Sequence, residues 1–167
     1  DGLKYTFYLR DDVKFHNGDK LTAEDVKYSF NRVMKMNQPP SWMLIQCMDE
    51  NSVKVLDDYT VKITLTKPYA AFVHILTYCV ASIVNKRVVE ENGGIVADTE
   101  NQWMNDHECG SGAFELKSWD HAEQITLTRF DDYWRGPAKL REIYMPFEPE
   151  VSTRIMLLKK GDADIAL

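Results

Sequence analysis

The sequence has no apolar run that could cross a membrane and no excess of positive charge. No stretch approaches the ~20 consecutive apolar residues that a membrane-spanning helix needs. Its 20 Lys and Arg residues are outnumbered by 26 Asp and Glu residues, which gives a formal net charge of −6, and the two signs are interspersed. The chain therefore lacks the basic surface that is typical of proteins binding nucleic acid or an anionic membrane.

Cysteine is scarce, and its pattern leaves two interpretations open. The three residues Cys47, Cys79 and Cys109 are an odd number without any C-x-x-C spacing. Free cysteine commonly behaves as a small buried hydrophobic residue, and that is the simpler interpretation. In an exported protein one disulfide, for example between Cys79 and Cys109, is also possible, but connectivity does not follow from sequence.

The chain does have enough apolar residues for a packed core. Of its 167 residues, 44% are hydrophobic and 11% are aromatic, which is ample for one globular domain or a little more. It begins without a methionine, and its last residues, from Ala163 to Leu167, read as part of a strand. We therefore expect a fragment of a longer protein.

The stretch from Lys4 to Met36 predicts a strand, a turn and a helix. From Leu3 to Arg10, apolar and polar residues alternate with the period of a strand that buries one face. Asn17-Gly18 favours a turn, because both residues readily take positive φ. Thr22 is placed to cap a helix whose apolar stripe comprises Ala23, Val26, Phe30, Val33 and Met34.

Short elements are predicted for the remainder of residues 37–109. The helix ends before Pro39-Pro40, and a short helix follows that proline pair. The further elements are a hairpin of Ser52–Leu56 with Thr60–Thr66, a helix over Tyr69–Leu76, a buried strand over Cys79–Val84, a helix over Lys86–Asn92 and a surface loop over Asp98–Glu108.

Residues 110–167 predict a second group of strands. Apolar and polar residues alternate from Phe114 to Leu116 and again from Ile125 to Thr128, which indicates a hairpin. Arg141 to Phe147 is a third strand, and Pro146 indicates an edge or a bulge. A helix begins at Ser152 with Val151, Ile155 and Leu158 on one side, Gly161 ends it, and a strand over Asp162–Leu167 follows.

Several of these segments together resemble a known family. They are YTFYLRDDVKFHNGDKLTAEDVKYSFNRV, TVKITLTKPYAAF, CGSGAFELKSWD, RFDDYWRGPAKLREIYMPF and STRIMLLKKGDADIA, in that order along the chain. The chain resembles the extracellular solute-binding proteins of family 5, the receptors of bacterial ABC importers for dipeptides, oligopeptides and nickel. The resemblance covers nearly the whole chain.

The resemblance implies a fold and a division of the chain. The fold class would be α+β, a fragment of lobe I of a type II, cluster C periplasmic-binding-protein-like architecture, with a mixed sheet and short helices packed on it. Residues 1–109 would form an inserted subdomain of that lobe. Residues 110–167 would return to its main subdomain, with Gly110, Ser111 and Gly112 at the crossover between them.

The resemblance also implies two ligand-binding residues. In family members, an aromatic residue in the loop after the first helix and a side chain just before the segment matching ASIVNK look into the ligand cleft. Those positions are Trp42 and Tyr78 in this sequence. A large aromatic side chain with a polar group suits the rim of a binding cleft, but it equally suits a protein core, and both interpretations stay open.

Two patterns superficially suggest enzymatic chemistry. Gly110-Ser111-Gly112 resembles the surroundings of a serine nucleophile, but a nucleophile elbow has the order G-x-S-x-G and its serine follows a strand, whereas Ser111 precedes one. His107 and Cys109 could ligate a metal, but their spacing fits no standard motif. We therefore expect no catalytic residue, no metal site and no cofactor.

The function that the resemblance implies is capture of a peptide and its delivery to a membrane permease. The partners would be a peptide ligand and the permease subunits of the ABC importer, with no nucleic acid, and the location would be extracytoplasmic, either periplasmic or as a surface lipoprotein. Nickel or a sugar is the alternative ligand within this class. A hydrolytic enzyme using Ser111 or a His107/Cys109 metal is the rival from another class. A third is an interaction module whose exposed surface contacts the permease or a second copy of itself, where truncation can also expose apolar surface and cause self-association.

Overall fold

Six strands form two separate sheets in the computed structural model, which describes residues 2–166. The strands are β1 (Lys4–Tyr8), β2 (Val53–Asp57), β3 (Thr60–Thr64), β4 (Phe114–Asp120), β5 (Gln124–Arg129) and β6 (Glu142–Pro146). The helices are α1 (Ala23–Met36), α2 (Trp42–Ile45), α3 (Phe72–Ile75), α4 (Lys86–Glu91) and α5 (Val151–Lys160). The predicted combination of strands and short helices is confirmed, but the described strands form two antiparallel sheets in place of the one mixed sheet expected.

The first sheet has the order β1-β3-β2, and both of its strand pairs are antiparallel. Ile63 of β3 lies opposite Tyr5 on one side and Val53 on the other. Val53, Val61 and Ile63 are almost completely buried, as the alternation of apolar residues predicted. The predicted first strand and hairpin are therefore confirmed, with a register shift in β2 between Val55 and Asp57.

Helix α1 covers this sheet with the predicted apolar stripe. Ala23, Val26 and Phe30 are buried, and Val33 and Met34 pack against the same core. At the start of the helix, the Asp25 carboxylate accepts hydrogen bonds from the backbone N–H of Thr22 and from its hydroxyl, both at 2.9 Å. Negative charge at this position also stabilises the positive end of the helix dipole.

The predicted strand over Cys79–Val84 is wrong. Cys79–Ala81 is instead a turn of 3-10 helix, and the backbone N–H of Val84 donates to the hydroxyl of Ser29 on α1 at 2.9 Å. That buried serine provides the acceptor that a neighbouring strand would otherwise supply. The loop predicted over Asp98–Glu108 likewise contains a 3-10 helix, Gln102–Asn105, which begins after Asn101.

The second sheet has the order β4-β5-β6 and is also antiparallel, so β6 is an edge strand as Pro146 predicted. The predicted helix after β6 is present as α5, and Gly161 follows it with a φ of 81°. Residues Asp162 to Ala166 form no strand, which contradicts the prediction there, and Leu167 lies outside the described residues.

The two sheets are joined where residues 108–113 contact the loop after β1. We call residues 108–113 the crossover from here on, because they contain Gly110, Ser111 and Gly112. The backbone N–H of His16 donates to the carbonyl of Gly110 at 2.9 Å. The Lys14 ammonium forms an ion pair with Asp132 at 2.7 Å, and the Arg10 guanidinium lies 4.6 Å from the ring centre of Trp134. The loop after β1 thus contacts both the crossover and the loop after β5.

The side chain of His16 makes the most buried of these contacts. Its Nδ1 lies 2.6 Å from the carboxylate of Glu108 and its Nε2 lies 3.0 Å from the carbonyl oxygen of Gly112, while only 8% of the side chain is exposed. A carbonyl only accepts, and an ionised carboxylate only accepts, so each ring nitrogen must donate. The contacts therefore favour the imidazolium form of His16.

The pKa values of the two groups shift in opposite directions. Burial alone would lower the pKa of His16, but its hydrogen bonds to Glu108 and Gly112 and the negative charges of Glu108 and Glu115 raise it overall. Burial would raise the pKa of Glu108, but the hydrogen bonds from His16 and from the backbone of Gly110 lower it overall. The charged pair is thus the favoured state between the two pKa values.

The opposite pKa shifts of His16 and Glu108 predict that the stability of the folded protein depends on pH. Because the pKa of His16 is raised on folding, its contribution is complete below the ordinary histidine value of about 6.5 and is lost as pH rises through the folded value. Because the pKa of Glu108 is lowered, its contribution is complete above the ordinary value of about 4.3 and is lost as pH falls through the folded value. The pair therefore stabilises the folded state most between about pH 4.3 and about pH 6.5, where both contributions are complete.

We expect His16→Gln to cost more stability at pH 5.5 than at pH 8.5, by about 1.5–3 kcal/mol, the scale of a hydrogen bond to a charged group. Urea denaturation in buffer containing EDTA at both pH values measures this difference. The control is His74→Gln, at an exposed histidine of α3, which should lose little at either pH. An equal loss for His16→Gln at the two pH values would contradict the charged-pair interpretation.

Candidate functional site

Trp42 is the first residue of α2 and projects into solvent. The side chain of Trp42 is 62% exposed, whereas Leu44, two residues further on, is completely buried in the core under the first sheet. The backbone N–H groups of Leu44 and Ile45 both donate to the carbonyl of Ser41, at 2.9 and 3.1 Å, and this closes the short helix. The interpretation of Trp42 as a core residue is therefore wrong.

Tyr78 is likewise an exposed aromatic residue beside buried neighbours, on a different segment. It lies between α3 and the 3-10 helix Cys79–Ala81, and 57% of it is exposed, while Ile75 and Val80 on either side are buried in the same core as Leu44. Its backbone N–H donates to the carbonyl of Ile75, and its own carbonyl accepts from Ala81, both at 3.0 Å. Tyr78 is therefore a surface residue held by buried neighbours.

Sequence reasoning missed two further exposed apolar residues on these segments. Ile45 of α2 and Val73 of α3 are 42% and 54% exposed. Both lie in helices of only four residues, which are too short for apolar periodicity to separate a buried face from an exposed one. Together with Trp42 and Tyr78, they give the two segments an apolar outer surface, and we call these four residues the aromatic rim.

The crossover residues do not form a nucleophilic site. The backbone of this segment is engaged on both sides, because Gly110 accepts from His16 and Ala113 accepts from Phe130 at 3.0 Å. Neither Gly110 nor Gly112 has a positive φ, so their role does not depend on left-handed backbone geometry. Within residues 2–166, the hydroxyl of Ser111 has no hydrogen-bond partner that could act as its base.

His107 and Cys109 are not brought together as metal ligands. The ring of His107 stacks on Trp103 at 4.5 Å, and its Nδ1 lies 2.9 Å from the carbonyl of Trp103. Cys109 is buried in a second small core with Tyr28 and Val89, and burial raises the pKa of its thiol, which disfavours the thiolate that a metal requires.

The cysteines are free thiols in the structure, so the possible disulfide between Cys79 and Cys109 is not formed. Cys47 and Cys109 are buried, as the interpretation of cysteine as a small hydrophobic residue predicts, whereas Cys79 is exposed. In residues 2–166, no helix is both long enough and apolar enough to span a bilayer.

Comparisons with known proteins agree with this architecture. The family described as "Bacterial extracellular solute-binding proteins, family 5 Middle" matches residues 1–167. Among curated proteins, the chain is 34% identical over 166 residues to the probable D,D-dipeptide-binding periplasmic protein DdpA of Escherichia coli K12. That alignment covers 99% of this chain and 31% of DdpA, so the chain spans about a third of that relative's length.

Solved structures show the same fold. The structure of NikZ from Campylobacter jejuni in complex with Ni(L-His) matches with a TM-score of 0.84 and 28% identity, over 98% of this chain and 31% of NikZ. The Helicobacter pylori periplasmic binding protein DppA, in complex with the peptide STSA, matches with a TM-score of 0.79 and 30% identity, over 97% of this chain and 34% of DppA. The predicted periplasmic-binding-protein fold is confirmed, and the chain belongs to the bacterial extracellular solute-binding proteins of family 5.

Proposed function

We propose that this chain is part of an extracytoplasmic substrate-binding protein that captures peptides and delivers them to the membrane permease of an ABC importer. The observation that carries this proposal is the exposure of Trp42 and Tyr78 in a chain of this family. Each is held by neighbours buried in one shared core, and each presents its ring to solvent. Residues so placed are available to a ligand without any rearrangement of the core.

The chemistry of the aromatic rim suits a peptide. Aromatic side chains provide a large contact area with few rotatable bonds, so ordering them on binding costs little entropy. The indole N–H of Trp42 and the hydroxyl of Tyr78 can each hydrogen-bond to a peptide group while the rings contact its side chains. Ile45 and Val73 add apolar surface of the kind that lines most small-ligand sites.

The relatives support a peptide over the other ligands of this class. The E. coli relative is described as binding a dipeptide, and the H. pylori structure contains a tetrapeptide. The C. jejuni structure contains nickel bound to an amino acid, so nickel is the alternative ligand, and a sugar is a further one. The residues of the aromatic rim contain no carboxylate, thiol or imidazole to hold a bare metal ion.

The location and partners follow from the same proposal. The protein would act outside the cytoplasm, in the periplasm or as a lipoprotein on the outer face of the membrane, and its ligand-loaded form would dock on the permease. Within the chain, residues 1–109 would be the inserted subdomain of lobe I and residues 110–167 the return to its main subdomain. The family consists of binding proteins and not enzymes, and we propose no hydrolytic role for Ser111.

The chain alone should be an incomplete receptor. It spans about a third of the length of its relatives. Helix α5 also buries none of its residues, and it exposes four large apolar side chains, Val151, Ile155, Met156 and Leu158. Such a surface favours association with other apolar surface, so an oligomer of the isolated chain would be an artefact of truncation.

We expect Trp42→Ala and Tyr78→Ala in the full-length protein to weaken peptide binding by about tenfold each, roughly 1.4 kcal/mol, because each removes a desolvated aromatic contact. Calorimetric titration with di- to pentapeptides measures this change. The matched controls are Trp119→Ala in the second sheet and Tyr8→Ala on β1, both exposed aromatic residues outside the aromatic rim. If the rim variants bind like the controls, the rim does not contact the ligand.

We expect the isolated 167-residue chain to bind the same peptides at least about a hundredfold more weakly than the full-length protein. In a binding protein that closes over its ligand, much of the contact surface would lie in the remaining two thirds of the protein. The same titration on the isolated chain provides the measurement, and light scattering over a concentration series separates the monomer from aggregates. Micromolar binding by the monomeric chain would refute this expectation.

A further inference from the structure

Three side chains from separate parts of the chain converge at the crossover with metal-binding atoms. They are His16 from the loop after β1, Glu108 from the crossover and Glu115 from β4. One ligand atom of each lies within 4.8 Å of the other two, and all three residues are partly buried. We call these three residues the crossover cluster.

Protonation of His16 does not balance the charge of the crossover cluster, because the cluster contains two carboxylates. When His16 is an imidazolium, it provides one positive charge for two carboxylates. Within the part of the chain that the structure describes, no lysine or arginine forms an ion pair with Glu108 or Glu115, and no hydrogen-bond donor reaches the carboxylate of Glu115. A divalent cation beside a neutral imidazole would balance both carboxylates.

The ring of His16 is oriented as metal-binding histidines usually are. Its Nε2 donates to the carbonyl of Gly112 at 3.0 Å, and this hydrogen bond selects the neutral tautomer that carries its proton on Nε2. In that tautomer, the Nδ1 lone pair points toward Glu108 at 2.6 Å, where a carboxylate lone pair faces it. Two lone pairs at this distance repel each other, so a proton lies between them at 2.6 Å. A metal ion could take the place of that proton only if the two atoms moved apart to roughly 3 Å, because each would then lie about 2.0–2.2 Å from the ion.

We propose that the crossover cluster binds one divalent transition-metal ion of the Zn²⁺ type through Nδ1 of His16 and one carboxylate oxygen each of Glu108 and Glu115. The metal replaces the proton on Nδ1, which passes to solvent, and water completes the coordination. Imidazole and carboxylate are ordinary zinc ligands, and Zn²⁺ exceeds most first-row ions in affinity for such sites. The bound ion would tie together the first sheet, the crossover and β4.

The role of this site is structural and separate from ligand capture. Its ligands connect chain segments 92 residues apart, between His16 and Glu108, and a metal that binds only the folded state raises its stability. It does not depend on the aromatic rim, so failure of one proposal leaves the other standing.

The test measures Zn²⁺ binding by the full-length protein, after EDTA has removed bound metal and the EDTA has itself been removed. Calorimetric titration with Zn²⁺ should give one site in the wild type that weakens by about tenfold or more in Glu115→Gln, since a lost ligand costs at least as much as a lost outer-shell partner. The control Glu123→Gln removes the same charge from the exposed turn between β4 and β5 and should bind like the wild type. Zn²⁺ should also raise the Tm of the wild type and of Glu123→Gln more than that of Glu115→Gln.

A second measurement needs no variant and covers the case in which Glu115→Gln fails to fold. In ¹⁵N NMR spectra of the wild-type histidine rings, Zn²⁺ should move the Nδ1 resonance of His16 from its protonated to its metal-bound position. The proposal is overturned if this resonance does not respond to Zn²⁺, or if folded Glu115→Gln binds Zn²⁺ as the wild type does, which would place the ion elsewhere.

Discussion

The arrangement of the two sheets depends on the hydrogen bonds between His16 and the crossover. One residue makes three hydrogen bonds to a segment about 95 residues away: its backbone to Gly110, and its ring to Glu108 and Gly112. The ion pair of Lys14 with Asp132 across this boundary is exposed, and exposed pairs contribute little to stability. The buried ring therefore fixes where the chain leaves the first sheet for the second.

Local patterns predicted the elements whose partners are close in sequence. The alternation in β1 and in the two hairpins, and the cap and apolar stripe of α1, follow from spacing alone, and the structure contains all of them. The segment after Cys79 was apolar enough for a strand, but its backbone bonds Ser29 on α1, a tertiary partner that no local pattern reveals. The pairing of His16 with Glu108 likewise joins distant segments, so neither residue stood out in the sequence.

The exposure of the aromatic rim also depends on tertiary packing. The positions of Trp42 and Tyr78 came from resemblance to the family, while composition alone fitted a core equally well. The structure places Leu44 and Val80 in the core and thereby directs the neighbouring aromatic residues outward. The crossover thus holds the two sheets together. The aromatic rim is an exposed apolar surface, and the residues next to it in sequence are buried in the core.

The proposed function depends on contact between the aromatic rim and a bound peptide. A crystal structure of the full-length protein with the ligand that co-purifies with it would show this contact. We expect a peptide within about 4 Å of the rings of Trp42 and Tyr78, the distance of ordinary apolar contact. A bound ligand that touches neither ring, or rings that are covered by the remainder of the protein, would contradict the proposed role of the aromatic rim.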